Sequence, residues 1–357
     1  MILLLLLVPL AVAAGSFIYF RRTITVLEFL LQLGLSVAIA VGGWFLMRAN
    51  SLKSVEHWNG RITAKNKGTE SCCHCHTVCD ATDKDGNCTS SHEECDHFND
   101  NWWSLDVSTG DRIRHGCEGR DRPPGWWSKA TIGEAASIEH SYTNYLKADP
   151  DSLLHHSADP KDLQSLPPFP KVHGKYHVSK VVTHGSARAP RSWQSQLMEL
   201  NADIGARKQV DITVVLTSRS DPEWAYALEA GWLYGPKNAL IVVMGTDGSK
   251  INWARVVTIS DVEELKIELR DELPGRALTD PDLISDIGRA VQAKFHRKPM
   301  ADFDYLLSAA APKGWRLVGL YLLVLLVSLG LTIFMHANDV FGERRSRYSS
   351  QIRRRRY

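Results

Sequence analysis

The sequence lacks four short motifs by which common enzyme families are recognised. It contains no Gly-x-Ser-x-Gly, His-Glu-x-x-His, P-loop or Gly-x-Gly-x-x-Gly motif. No motif therefore supports a serine hydrolase, a zinc peptidase, a P-loop nucleoside triphosphatase or a dinucleotide-dependent oxidoreductase. An internal repeat with a period of about 20–50 residues is also missing, which excludes solenoids and propellers. These absences leave the question of catalysis open and favour a protein that is not an enzyme.

The sequence also lacks an overall excess of charge, although its charges are unevenly placed. The 357 residues carry a formal net charge of +2. Residues 49–314 contain 31 Lys and Arg against 37 Asp and Glu, whereas residues 343–357 contain seven Arg against one Glu. A mean hydropathy of −0.20 excludes a chain that is wholly embedded in a membrane. The presence of 11 Trp argues against disorder over most of the chain. The separated charges suggest that a membrane lies between the two regions.

Three long hydrophobic segments lie at the two ends of the chain, over residues 1–20, 23–47 and 317–335. About 20 apolar residues in a helix span a hydrocarbon core of roughly 30 Å, so we expect three transmembrane helices. The first segment has an alternative as a cleaved signal peptide, because Ala11-Val12-Ala13 is similar to a cleavage site. It lacks the basic residues that precede the apolar part of such a peptide, which favours a retained helix.

The positions of the arginines predict the orientation of these helices. Lys and Arg prefer the cytoplasmic side in short loops, so Arg21, Arg22 and the Arg-rich tail should lie inside. Residues 49–314 are then outside the cytoplasm, which in a bacterial cell is the periplasm. Within the second segment, Glu28 and Gln32 are one helical turn apart. They are interpreted as interfacial or interhelical polar groups, with an ion site as the alternative.

The tail is expected to determine topology and to bind anionic lipid headgroups. No fold motif supports binding of a nucleic acid by these residues. The candidate headgroup ligands are Arg344, Arg345, Arg347, Arg353, Arg354, Arg355 and Arg356.

All seven cysteines lie between residues 72 and 117, in a region that reads as short β-strands. An oxidising compartment favours disulfides, and an odd number leaves at least one thiol free or paired between chains. Zinc is the alternative, because histidines are interleaved with the cysteines. A redox-responsive module is a further alternative, and no cofactor other than zinc is indicated. The cysteines are Cys72, Cys73, Cys75, Cys79, Cys88, Cys95 and Cys117, and the additional zinc candidates are His74, His76, His92 and His97.

An α/β domain is predicted after a proline-rich segment. Helical spacing of apolar residues predicts a helix over 192–205, and β-branched runs predict buried strands over 211–217, 238–244 and 251–259. Capping residues predict further helices from Asp221, Asp261 and Asp280. The expected organisation is two transmembrane helices (1–48), a Cys/His/Trp-rich mainly-β region (49–156), a linker (157–175), the α/β domain (176–313), a transmembrane helix (314–336) and a cytoplasmic tail (337–357).

The α/β stretch resembles the TPM-domain family over about residues 190–296. The matching residues are 212–216, 224–231, Trp232-Leu233-Tyr234-Gly235, 239–243 and 252–257. The resemblance implies an α/β/α sandwich with a mixed sheet, membrane-anchored and outside the cytoplasm. Some members of the family are phosphatases or calcium binders with acidic residues before the second strand, where this chain has Pro236-Lys237-Asn238. More loosely, Ile132-Gly133-Glu134 and Tyr142-Thr143-Asn144-Tyr145, following a Cys/His cluster, resemble uncharacterised membrane proteins of tailed bacteriophages.

The sequence thus favours a multipass membrane protein whose outer domain binds or assembles with a protein partner or a second copy, without catalysis. A membrane-anchored, phosphatase-like hydrolase is the alternative. Its nearest candidate carboxylates are Asp221 and Asp247, which are better explained as a helix cap and a turn residue.

Overall fold

The computed structural model describes residues 2–20, 24–71, 75–95, 99–115, 122–148, 158–232, 236–310 and 314–338. The chain divides into two units. Unit 1 comprises Met1–Lys53, Thr143–Pro150 and Phe303–Tyr357, and unit 2 comprises Ser54–Tyr142 and Asp151–Asp302. The predicted mainly-β region and the predicted α/β domain thus fall together in unit 2.

The helices and strands of the described residues are numbered in chain order. They are α1 (Ile2–Tyr19), α2 (Val26–Leu52), β1 (Lys53–Ser71), β2 (Cys75–Thr82), β3 (Cys88–Cys95), β4 (Asn99–Val107), β5 (Arg112–His115), α3 (Gly125–Lys129), β6 (Ala135–Thr143), α4 (Pro160–Ser165), β7 (Val172–His173), β8 (His177–Val178), β9 (Val181–His184), α5 (Ser192–Lys208), β10 (Asp211–Thr217), α6 (Trp224–Trp232), β11 (Ala239–Thr246), β12 (Ile251–Val257), α7 (Glu263–Glu272), α8 (Leu283–Lys294) and α9 (Trp315–Ala337). Two 3-10 helices cover Tyr145–Ala148 and Met300–Ala309.

Two helices of unit 1, α2 and α9, are long and apolar enough to cross a membrane. The first hydrophobic segment also forms a helix, α1, but its apolar part is shorter than theirs. The expectation of three spans therefore reduces to two candidate membrane helices and one shorter apolar helix. The three helices share a small apolar core, and their outward side chains, such as Leu326 and Ile333, are apolar and exposed. An apolar outward face is what contact with lipid requires.

A neutral polar contact joins the three helices inside unit 1. The amide nitrogen of Gln32 donates to the Thr332 hydroxyl at 2.7 Å and to the Ser328 carbonyl at 3.2 Å, both on α9. The Ser16 hydroxyl on α1 donates to Gln32 Oε1 at 3.1 Å. Gln32 thus makes the interhelical contact that its position indicated. Glu28 closes a capping box with Thr25 at the start of α2.

The first sheet of unit 2 has the strand order β5-β4-β1-β6. Strands β1 and β4 are antiparallel, as are β4 and β5. One face of the sheet buries Ile62, Leu105 and Ala136 together with Tyr176, and half-buried tryptophans of α3 pack against them. The mainly-β character expected for this region is confirmed. Strands β2 and β3 form a separate two-stranded antiparallel hairpin.

The second sheet of unit 2 is mixed, with the order β12-β11-β10-β9. Strands β9, β10 and β11 are parallel, and β12 is antiparallel to β11. Side chains alternate along β10. Val214 and its neighbours two residues away pack against α5, α7 and α8, whereas Val215 packs against α6 on the other face. The central strands are buried throughout because helices cover both faces. A mixed α/β fold is confirmed.

Several boundaries in this fold differ from the expected ones. Strand β9 was not predicted, because its four residues form too short a run to stand out. Helices α6, α7 and α8 begin two or three residues after their expected starts, since Asp221 and Asp280 form turns before the helices. The proline-rich segment lies against the sheet, where Leu166 and Phe169 pack on the α6 face.

Candidate functional site

A buried carboxylate is the centre of a polar cluster in unit 2. Asp211 is the first residue of β10 and is fully buried. Its Oδ1 accepts hydrogen bonds from the Lys180 ammonium and from Asn59 Nδ2, the latter at 2.9 Å. Its Oδ2 lies 3.0 Å from Nδ1 of His57. Lys180 and His57 are themselves buried. Every oxygen of the carboxylate is therefore matched by a donor, which a charge without water requires.

Burial and the neighbouring side chains have opposite effects on the pKa of Asp211. Burial alone raises the pKa of this carboxyl. The charge of Lys180 and the hydrogen bond from His57 act in the other direction and prevail, so the pKa lies below its ordinary value. Asp211 is therefore ionised at neutral pH and acts only as an acceptor.

The same cluster joins the two large sheets of unit 2. His57 and Asn59 belong to β1 in the first sheet, whereas Asp211 begins a central strand of the second. Asn238, just before β11, donates from Nδ2 to the His57 carbonyl at 2.7 Å. The Ser137 hydroxyl on β6 donates to Asn59 Oδ1 at 2.5 Å. The cluster is buried and connects the two sheets by hydrogen bonds, which is a structural role in its own right.

A cavity of about 130 Å³ adjoins this cluster. It is bounded by β1, by the turn between β4 and β5, by the C-terminal end of α5 and by the residue before β11. Two buried atoms of its lining residues, His57 Nε2 and Asn238 Oδ1, have no hydrogen-bond partner among the described residues. The lining residues are His57, Trp58, Asn59, Ser108, Thr109, Gly205, Ala206, Gln209 and Asn238. This is a candidate binding site, because unpaired buried polar atoms are costly unless something pairs with them.

A second ion cluster, formed by Glu56, Arg297 and Lys237, contacts the cavity wall through Trp58. Glu56 is buried, and both its oxygens accept from Arg297, at 3.1 and 3.0 Å. Trp58 Nε1, from the cavity wall, donates to the same carboxylate at 2.9 Å. Lys237 lies 3.6 Å from it. Burial, together with the charge of Glu56, raises the pKa of the nearby Tyr142 phenol. Glu56 thus faces two cations, Arg297 and Lys237, so this cluster is more than a neutral pair.

Four of the seven cysteines form two disulfides, Cys75–Cys95 and Cys79–Cys88. Both bonds cross the β2–β3 hairpin, and they agree with the disulfide interpretation of these four residues rather than with zinc. Cys72, Cys73 and Cys117 lie outside the described residues. No group of three or more His, Cys, Asp or Glu side chains in the described ranges is placed to hold a metal ion.

Of the four histidines named as additional zinc candidates, two lie among the described residues and two do not. His92 lies on the hairpin, with Nδ1 at 2.6 Å from Asp80 Oδ1, and His76 lies on the opposite strand. His74 and His97 are outside the described residues. The seven tail arginines are also outside them.

The disulfide-bonded hairpin, β2–β3, is exposed over nearly its whole length. Only Cys75 and Val78 are half-buried. Residues 75–95 carry five carboxylates and one lysine. The hairpin thus presents a narrow acidic surface that is held by covalent bonds rather than by burial.

The two carboxylates considered for hydrolysis both have structural roles. Asp221 Oδ1 accepts from the backbone nitrogen of Glu223 at 2.9 Å, in the turn before α6. Asp247 Oδ1 accepts from the backbone nitrogens of Ser249 and Lys250, which lowers its pKa. Neither lies in the cavity wall.

Comparisons with protein-family models, with curated proteins and with solved structures found no match to this chain. The resemblance to the TPM-domain family therefore stays an expectation. The cavity and the Asp211 cluster were missed at the level of the sequence. One signal was available there, because a carboxylate opens an otherwise apolar strand at Asp211, and such a residue must find a partner.

Proposed function

We propose that this chain is a membrane-anchored binding and assembly protein whose unit 2 lies outside the cytoplasm and performs no catalysis. Chain order supports the location, since the two candidate membrane helices flank unit 2 in the sequence. If both cross the membrane, residues 54–302 lie on one side of it. Disulfides form in oxidising compartments, and the Arg-rich tail favours the cytoplasm, so both point to the outside for these residues.

The exposed hairpin is the observation that carries the binding role. A two-stranded hairpin is at best marginally stable in water without a core to pack on. Here two disulfides hold one whose side chains are almost all in solvent. Restricting a segment in its bound conformation removes much of the ordering cost of association. The hairpin is therefore suited to recognition, and its carboxylates suit a partner with a basic surface, either another protein or a second copy of the chain.

The proposal includes α1 as a third membrane helix. Its 18 residues give a length of about 27 Å, close to the hydrocarbon thickness. The hydrogen bond from Ser16 to Gln32 links it to α2 and, through Gln32, to α9. Crossings by α2 and α9 already place Arg21 and Arg22 on the same side as the tail, as the positive-inside rule prefers, and a crossing by α1 would place residue 1 on the outer side. The TPM-like reading of the α/β part belongs to the same proposal and is supported by helices on both faces of a mixed sheet.

The binding role is tested with the full-length chain in detergent micelles and immobilised polylysine as the basic probe. In one variant the five hairpin carboxylates become amides: Asp80, Asp83, Asp85, Glu93 and Glu94. A matched control changes the five carboxylates of α7 instead: Glu263, Glu264, Glu268, Asp271 and Glu272. We expect the hairpin variant to lose at least about tenfold in affinity and the control to lose less than about twofold. Equal losses would show that net charge, and not the hairpin, determines binding.

The location is tested with reporter fusions after residues 53, 312 and 357. The first two should report the outside and the third the cytoplasm. A cytoplasmic signal at residue 53 or 312 would contradict the proposed topology without bearing on the cavity.

A further inference from the structure

Two arginines mark the ends of the apolar parts of the two candidate membrane helices. In α2, residues 26–47 are apolar apart from two polar residues near the start, and Arg48 follows them. In α9, residues 317–335 are apolar, and Arg316 precedes them. At 1.5 Å per residue each apolar part is about 30 Å long, which is the thickness of a hydrocarbon core. Each arginine therefore lies where the hydrocarbon meets the lipid headgroups.

Both arginines lie at the same end of unit 1. Gln32 bonds to residues late in α9, whereas Gly43 lies against Leu320 near its start, so the two helices are antiparallel. Arg48 follows Gly43 by five residues, and Arg316 precedes its own contact residue, Leu320, by four. Both are thus about 6–8 Å beyond this contact in the same direction. In the proposed topology this is the outer end.

Neither arginine has a carboxylate partner among the described residues. Arg48 Nη2 donates to the Leu307 carbonyl at 2.5 Å, and this neutral acceptor leaves the charge of the guanidinium uncompensated. Arg316 is exposed, and none of the described side chains or carbonyls accepts a hydrogen bond from it. Positive residues beside a membrane helix prefer the cytoplasmic side, so two uncompensated arginines at the outer end need another explanation.

Each arginine also lies beside a tryptophan of its own helix. The Arg48 guanidinium is 5.2 Å from the ring centroid of Trp44, one turn earlier on α2. That of Arg316 is 5.9 Å from the ring centroid of Trp315, which is 80% exposed. Tryptophan is enriched at the depth of the headgroups, because its ring is apolar and its N–H is polar. These two Arg–Trp pairs, Trp44 with Arg48 and Trp315 with Arg316, are called the outer rim below.

The chemistry of the outer rim fits a phosphodiester. A guanidinium binds phosphate oxygens through charge-assisted hydrogen bonds in a fixed fork geometry. The first turn of α9 lies at the rim and has no acidic side chain, so the partial positive charge of this helix end also favours an anion. An anionic phospholipid supplies a phosphate at this depth. Phosphatidylcholine adds a quaternary ammonium group, which the arginines repel.

We propose that the outer rim binds the phosphodiester headgroups of anionic phospholipids in the outer leaflet. The site rests on the membrane anchoring in the proposed function and does not depend on the hairpin. It is separate from the Arg-rich tail, which follows the other end of α9. Reporter fusions that placed residue 53 in the cytoplasm would move the rim to the inner leaflet without removing it. The two proposals therefore fail separately.

The test measures quenching of tryptophan fluorescence in the full-length chain in neutral detergent micelles. Phosphatidylglycerol or phosphatidylcholine with brominated acyl chains is added, and bromine quenches the tryptophans close to the bound lipid. Residues 343–357 contain no tryptophan, so lipid bound to the tail is not detected. We expect phosphatidylglycerol to bind at least about fivefold more tightly than phosphatidylcholine, which is the effect of one arginine beside an anionic headgroup.

The site is located with a double variant of the rim. Arg48→Gln with Arg316→Gln should reduce the preference for phosphatidylglycerol to less than about twofold. The matched control, Arg188→Gln with Arg191→Gln, removes the same charge from exposed positions of unit 2 and should leave the preference unchanged. If the double variant fails to fold, Arg316→Gln alone should still lower the preference at least about twofold, since it breaks no hydrogen bond among the described residues.

The soluble headgroup glycerophosphoglycerol, added in an amount equal to the lipid, separates a lipid site from a site for a free phosphodiester. It should not displace brominated phosphatidylglycerol. Equal affinity of the native chain for both lipids, an unchanged preference in the rim variants, an equal loss in the control or displacement by the soluble headgroup would overturn the proposal.

Discussion

The two units of this protein connect distant segments through different buried polar contacts. Unit 2 buries full charges, with the Asp211 carboxylate between Lys180 and His57. Unit 1 joins its helices through a neutral amide, with Gln32 between the hydroxyls of Ser16 and Thr332. Both clusters connect segments that are far apart in the sequence.

The two clusters differ in the cost of losing one side chain, because one would leave an unpaired charge and the other an unpaired neutral group. A charge deprived of its partner inside a protein costs several kcal/mol, so the Asp211 cluster stabilises unit 2 only while it is complete. A neutral amide among membrane helices loses much less, because the separated helices find other partners. We therefore expect unit 2 to respond sharply to substitution in its cluster and unit 1 to respond weakly.

The largest loss of unfolding free energy is expected from Asp211→Ala. It leaves Lys180 buried with no carboxylate, and removing one member of a buried pair costs about 3–5 kcal/mol. The measurement is urea unfolding of the full-length chain in micelles, followed by tryptophan fluorescence. The control is Asp203→Asn, which removes an exposed partner of Arg61 and should cost less than about 1 kcal/mol. Similar losses in both variants would show that burial adds nothing to the Asp211 pair.

A smaller loss of unfolding free energy is expected when the pH is lowered. The pKa of Asp211 in the folded chain is below its ordinary value of 3.8. The stability that it contributes is therefore complete above about pH 4 and is lost as the pH falls below that value. The difference in unfolding free energy between the native chain and Asp211→Asn should shrink from pH 5 to pH 2. A difference that stays constant over this range would mean that Asp211 is not ionised in the fold.

The sequence predicted one of these clusters and not the other, for a physical reason. Glu28 and Gln32 are four residues apart in an apolar helix, so a local pattern places them on one helix face. His57 and Asp211 lie 154 residues apart and meet only because two sheets pack together. No local period brings them together. The strands and helices of the α/β fold were likewise predictable from alternation and spacing, apart from the short β9.

The disulfide-bonded hairpin was predictable from the sequence only in part. The dense cysteines predicted a region held by disulfides, because seven thiols within 46 residues exceed what packing needs. The pairing of Cys75 with Cys95 and of Cys79 with Cys88 could not be derived, since the turn at residues 83–87 sets the register. Spacing alone allows many connectivities.

The smallest effect is expected in unit 1, from Gln32→Leu. The change removes the amide that bonds to Ser16 and Thr332, and such contacts between membrane helices contribute about 0.6 kcal/mol on average and at most about 1.7. Unfolding of the helices in mixed micelles of rising SDS content, followed by circular dichroism, gives the measurement. The matched control is Ser36→Ala, one turn further along the same buried face, whose hydroxyl has no partner among the described residues. It should change the unfolding free energy less than Gln32→Leu does. A loss for Gln32→Leu as large as that for Asp211→Ala would mean that a neutral contact is as indispensable in unit 1 as a charged one is in unit 2, and the contrast between the units would fail.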